Sequence, residues 1–236
     1  MFYKLLFMNK IILLLFLIST TLYSQSKDTI TDSKYLEDQI YIGFSYITMT
    51  NLPENVSKNG FSNSLILGFI KDISLNEQGN VAFGLGLGYG RNTYFQEIKI
   101  TRPNGKTLFE TIDGSFKNNK FSTHSIEMPI ELRWRTSTIN KYKFYRIYAG
   151  GKVSYTFATK SRFKTDDNTI KVKGISEINK LQYGLTLSLG YGTWNINLYY
   201  GLNDIFSDAK FNRAVPFNAV PLKMRDFRVG FIFYIL

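Results

Sequence analysis

Val81–Gly90, read VAFGLGLGYG, alternates without a break. Val81, Phe83, Leu85, Leu87 and Tyr89 fall on one face of an extended chain, and Ala82, Gly84, Gly86, Gly88 and Gly90 on the other, because successive side chains point to opposite faces of a strand. A glycine-rich phosphate loop ends a strand and opens a helix. Here the glycines keep period two inside the strand and no helical pattern follows, so the stretch reads as strand and not as a nucleotide site.

The same pattern recurs outward from this segment. Ile126, Met128, Ile130, Leu132 and Trp134 oppose Ser125, Glu127, Pro129, Glu131 and Arg133. Tyr145, Ile147, Ala149, Gly151, Val153, Tyr155 and Phe157 oppose Arg146, Tyr148, Gly150, Lys152, Ser154 and Thr156. Leu181–Tyr191, Trp194–Leu202 and Phe227–Ile235 behave likewise, with Ile40–Thr48 and Phe61–Ile70 less regular. The apolar faces read as free of charge, whereas the opposite faces carry Gly, Ser, Thr, Asn and a few ions of both signs. A soluble sandwich has a richly charged outer face; a greasy face backed by small polar residues fits a barrel in lipid. Spanning a bilayer takes about 9 to 11 tilted strand residues, and lipid offers no partner to an open sheet edge, so such strands must close.

Eight strands are predicted, at about 39–50, 61–72, 80–95, 121–136, 143–160, 177–191, 194–205 and 223–236. Connections after the second, fourth and sixth are short, the others long, as in barrels with short periplasmic turns and long outer loops. Trp134, Tyr145, Tyr191, Trp194 and Phe233 cluster near the short turns, and Tyr46, Phe61, Tyr89, Phe157 and Phe227 near the long loops, giving two aromatic belts. Pro129, which cannot donate to a ladder, predicts a bulge or broken pairing.

Composition narrows the function. The 236 residues include no Cys and one His, which excludes disulfide frameworks, thiolate metal sites and cysteine nucleophiles. Lys4 and Lys10, the apolar run Ile11–Ile18 and the small-residue exit before Gln25 form a signal-peptide pattern with cleavage after Ser24. The predicted organisation is therefore 1–24 signal peptide, 25–38 polar periplasmic lead-in and 39–236 barrel, both termini periplasmic. Cleavage leaves 27 basic against 18 acidic residues, so the exported chain carries a formal +9. An exported cationic chain points to anionic lipid or acidic surface polymers and away from nucleic acid.

An eight-stranded barrel is just wide enough for side chains to fill, so Glu127, Glu131, Arg133, Arg146, Lys152 and Arg228 are predicted to form a lumen network. A β-turn near Ile139 would set Glu127 opposite Lys152 and Glu131 diagonal to Arg146. Lys160, Arg162, Lys164, Lys171 and Lys173 are the candidate contacts for lipopolysaccharide phosphates or anionic glycans, in a long loop. His124 neighbours Ser125, but adjacent strand residues face opposite ways and Glu127 lies on the Ser125 side, which argues against a catalytic triad.

Several strings together resemble the PorT-like, porin-family outer-membrane barrels of Bacteroidota: LGFIKDI at Leu67–Ile73, IEMPIELRWRT at Ile126–Thr136, YRIYAGGK at Tyr145–Lys152, LQYGL at Leu181–Leu185, YGLN at Tyr200–Asn203 and VGFIFY at Val229–Tyr234. The resemblance spans the exported chain and implies an eight-stranded outer-membrane barrel, with a family association with type IX secretion and gliding. The sequence thus predicts an all-β, closed antiparallel eight-stranded transmembrane barrel, monomeric, without cofactor or enzymatic activity. Its predicted role is structural or interactive at the cell surface through the loops at 96–120 and 161–176, with outer-membrane lipid and lipopolysaccharide, and other envelope proteins, as partners. A small or gated pore and an accessory of type IX secretion are the alternatives.

Overall fold

The computed structural model describes residues 39–53, 56, 60–112, 114–136, 144–212 and 219–235. The predicted signal peptide and lead-in lie outside the described residues. The chain forms β1 (Gln39–Thr50), β2 (Asn63–Ser74), β3 (Val81–Phe95), β4 (Ile98–Thr101), β5 (Leu108–Thr111), β6 (Asn118–Arg135), β7 (Tyr145–Lys164), β8 (Thr169–Lys173), β9 (Leu181–Tyr191), β10 (Trp194–Gly201), β11 (Lys210–Asn212), β12 (Ala219–Pro221) and β13 (Arg225–Ile235).

Hydrogen-bonded neighbours run in the order β6, β3, β2, β1, β13, β10, β9, β7, and β7 pairs back with β6, so eight antiparallel strands close into a barrel. Each strand alternates exposed apolar with buried residues: Leu85, Leu87 and Tyr89 face out and Gly84, Gly86 and Gly90 in. Trp194 contacts Phe231 and Phe233, and the Tyr145 and Tyr191 rings lie 4.8 Å apart, tilted to each other, on the belt near the short turns. Tyr46 meets Phe61, and Tyr89 meets Phe157, on the other belt.

The pairing shows two irregularities. Opposite Pro129 and Met128, Gly86 and Leu87 of β3 are bridged to β2 but not to β6, yet the register is the same on both sides of the gap. Pro129 therefore interrupts the ladder without displacing it, as a residue lacking an amide proton must. The bulge lies elsewhere, on β7: His124 pairs with Ala158 and Ser125 with Thr156, which leaves Phe157 as the extra residue.

The long connections are not open loops. Strands β6 and β7 run past the belt, β8 folds back on β7, and β4, β5, β11 and β12 form a second four-stranded sheet. This cap has its own apolar core, in which Ile98, Ile100, Phe109, Phe211, Phe206 and Leu222 pack on Ile47, Met49, Tyr94 and Phe121 from the upper strands. Tyr94 stacks on Phe121 with centroids 4.5 Å apart. The inward face is thus apolar at this end and polar below. Apolar-face charge is also not wholly absent: Lys71 and Arg91 are exposed on the outward face. Their long stems let the ammonium or guanidinium reach the interface.

Candidate functional site: the barrel interior and the basic outer wall

Period-two alternation turns every second residue of each strand inward, and the small residues among them make room for the large ones. Cβ atoms at Gly84, Gly86, Gly88 and Gly90 would run into Arg133, Pro129, Tyr41 and Glu127 respectively. The glycine face of β3 is therefore the bed on which charged and bulky side chains of β1 and β6 lie.

Two ion clusters occupy the interior. Near the short turns, Arg133 Nη1 donates to Asp72 Oδ1 at 2.5 Å and Nη2 to Gln39 Oε1 at 2.8 Å, while Arg135 Nη1 donates to the other oxygen of Asp72 at 2.5 Å. The Arg133 guanidinium lies 3.9 Å over the Tyr148 ring and 5.0 Å from that of Tyr234, and its Nε is 3.5 Å from Glu131. Toward the cap, Lys152 Nζ donates to Glu127 Oε2 at 2.6 Å. Arg228 sits 3.8 Å from Glu127 Oε1, donates to Asp226 Oδ2 at 2.8 Å and covers the Tyr199 ring at 4.5 Å. Tyr94 donates to the same Asp226 oxygen at 3.1 Å, linking the cluster to the cap core. Between the clusters lies a cavity of about 20 Å³ bordered by Tyr41, Glu127, Glu131, Lys152 and Tyr234, room for about one water molecule. Breaking such pairs inside a low-dielectric interior is costly, because the remaining charge has no solvent.

Five of the six predicted lumen residues enter these clusters. Arg146 does not: it faces Arg135 across the β6–β7 ladder and lies over Phe144 at 4.3 Å. The predicted register was two residues short. Glu127 is opposite Ser154 and Lys152 opposite Pro129, so Glu127 and Lys152 meet diagonally, and Glu131 is opposite Gly150. Asp72, Asp226 and Gln39 escaped the sequence reading, as did the part played in the clusters by the five inward tyrosines Tyr41, Tyr94, Tyr148, Tyr199 and Tyr234. The parity that Asp72 shares with Gly68, and Asp226 with Arg228, was the available signal.

The five predicted anion contacts do not sit in a loop. Lys160, Arg162 and Lys164 are on β7, Lys171 and Lys173 on β8, and the strands pair Lys160 with Lys173 and Arg162 with Lys171. On β6, Lys120 is opposite Arg162. His124 lies outward below them, its Nδ1 2.5 Å from the Tyr89 hydroxyl, while Ser125 is buried inside. The two therefore point to opposite sides of the wall.

A closed eight-stranded barrel with an apolar exterior, aromatic belts and an ion-paired interior defines an outer-membrane barrel protein. The family described as "Outer membrane protein beta-barrel domain" matches residues 23–207, and the chain belongs to it. No curated protein matches the chain. Among solved structures it is similar to Ail, the attachment invasion locus protein of Yersinia pestis, with 11% identity over 84% of this chain and 97% of that one at a TM-score of 0.36. It is also similar to Ail in complex with the heparin analogue sucrose octasulfate, with 12% identity over 85% and 99% at a TM-score of 0.35.

Proposed function

We propose that this protein is a non-conducting barrel of the PorT-like kind, its lumen filled, that serves as a structural and interaction element of the cell surface. In this reading residues 1–24 are removed on export, both termini face the periplasm and the cap is extracellular. The observation that carries it is the stacking of three layers across the bore: the Asp72–Arg133–Arg135 cluster, the Glu127–Lys152–Arg228–Asp226 cluster, and the cap core around Tyr94, Phe121 and Phe206. An open channel needs a continuous hydrated path, whereas these layers bury their ions against one another and against aromatic rings. What remains for interaction is the outside, namely the folded cap and the basic wall beneath it.

Planar-bilayer recording of the purified protein tests the closed bore. The expected trace is flat at the current baseline, and a sustained ohmic conductance would return the pore reading to first place. For the surface role, a photo-crosslinker at the exposed Lys106 or Lys223 of the cap in intact cells should yield a defined adduct with an envelope component. Adducts with nothing but the chain itself would count against it.

A further inference from the structure

The bulge at Phe157 has a steric effect on everything that follows it. Up to Phe157, odd-numbered residues of β7 face outward; beyond it the even-numbered ones do, so that Ala158, Lys160 and Arg162 are exposed while Ser161 and Phe163 are buried. Had β7 kept strict alternation through Phe157 instead of bulging there, these cations would point into the apolar cap. On β6, Phe121 is buried while its neighbour Lys120 turns outward; on β8, Val172 is buried between exposed Lys171 and Lys173. The register lines them up in rows: Lys120, Arg162 and Lys171 in one, and Ser122, Lys160 and Lys173 in the next, with Arg91 beside His124 below. Directly opposite side chains in a sheet are about 5 Å apart, and like charges there are destabilising. Among the described residues none of Lys120, Lys160, Arg162, Lys171 and Lys173 forms an ion pair; the neighbouring Asp166 is held by Lys117.

Height on the barrel identifies what could neutralise them. Immediately below these rows, on the same outward face, come Phe157, Tyr155 and Tyr89, all exposed rings of the belt. A ligand seated here has apolar wall under it and cations above it, the arrangement met by an acylated molecule whose phosphate stands at the headgroup level. A soluble polyanion would have no use for the rings. We propose that the outer wall of β6, β7 and β8 binds the phosphate of a phosphorylated glycolipid of the outer leaflet, through Lys120, Lys160, Arg162, Lys171 and Lys173. The Phe157 bulge is the device that turns the β7 cations to the outside. This inference rests on the extracellular placement of the cap in the proposed function.

The test uses the full-length protein in phosphatidylcholine nanodiscs doped with phosphorylated lipid A, with dephosphorylated lipid A, or with neither plus inorganic phosphate or dextran sulfate. Each basic residue near an anionic surface is worth about 1 kcal/mol, about fivefold in affinity. The Lys160→Gln/Lys171→Gln/Lys173→Gln protein should therefore retain about a hundredfold less phosphorylated lipid A at low salt, and Lys106→Gln should be unchanged. Dephosphorylated lipid A should be retained weakly by all, and millimolar phosphate should not displace the lipid. Should the triple variant disturb folding, judged by heat-modifiable migration, Lys171→Gln/Lys173→Gln on the edge strand β8 alone should still lose about twentyfold to thirtyfold. Equal retention by folded variants, or equally tight dextran sulfate binding in the absence of lipid A, would overturn the proposal. Labelling a Lys106→Cys protein from outside intact cells reports the orientation separately, and bilayer conductance reports the closed bore separately, so the failure of each reading is distinguishable.

Discussion

Gly84, Gly86, Gly88 and Gly90 are four instances of one physical bargain, in which a strand gives up side-chain packing so that a neighbour's large group can lie across it. Tyr41 crosses both Gly68 and Gly88. Gly88→Val should accordingly destabilise the barrel by about 1–3 kcal/mol through overpacking. Urea unfolding in detergent micelles measures this, and Tyr41→Ala in the same chain should restore part of the loss. Lys152 is the counter-ion of Glu127, which also faces Arg228 at longer range. Lys152→Met should cost about 3–5 kcal/mol, the usual penalty for leaving a charge buried without its partner. The Glu127→Gln/Lys152→Met protein should recover most of that stability in the same assay, since removing both charges removes the penalty.

At the level of the element, β7 is two strands in one. Its lower half obeys the parity of a lipid-facing wall and its upper half that of a wall around the cap, and Phe157 is where the two meet. Deletion of Phe157 should let Thr156 and Ala158 follow each other in regular alternation opposite Ser125 and His124, with Lys160 and Arg162 still outward. The product should therefore keep its heat-modifiable band on gels, because no cation is buried; a product that stays unfolded would mean that the bulge does more than reconcile the two parities. Pro129 has the milder role. Its ring occupies the space over Gly86, and the ladder lapses there without losing register.

For the whole molecule, closure and capping are separate achievements. Closure depends on β13, which pairs β1 to β10. Removing Arg225–Ile235 would open two strand edges to lipid, where no hydrogen-bond partner exists, and the truncated chain should remain protease-sensitive after refolding in micelles. Capping depends on segments distant in sequence: β5 pairs in parallel with β11, and Phe109 meets Phe206 edge-on. The cap core nonetheless continues into the bore through Tyr94 and its bond to Asp226, so the cap and the ion cluster form one packed unit.

Alternation alone was enough to establish the eight strands, their lipid-facing sides, both aromatic belts and the inward placement of Glu127, Glu131, Arg133, Lys152 and Arg228. Each of these follows from period two, a property of adjacent residues that needs no knowledge of the partner strand. Register, by contrast, depends on how many residues separate the paired strands, and a two-residue difference moved Glu127 from Lys152 to Ser154 and separated Arg146 from Glu131. The cap was beyond sequence reading for the same reason: β4, β5, β11 and β12 are three or four residues long. Segments that short carry almost no periodicity, and only contacts between residues far apart in the chain make them strands. The outward basic wall lies between these cases, since its charges were legible but the side they face was settled by one extra residue at Phe157.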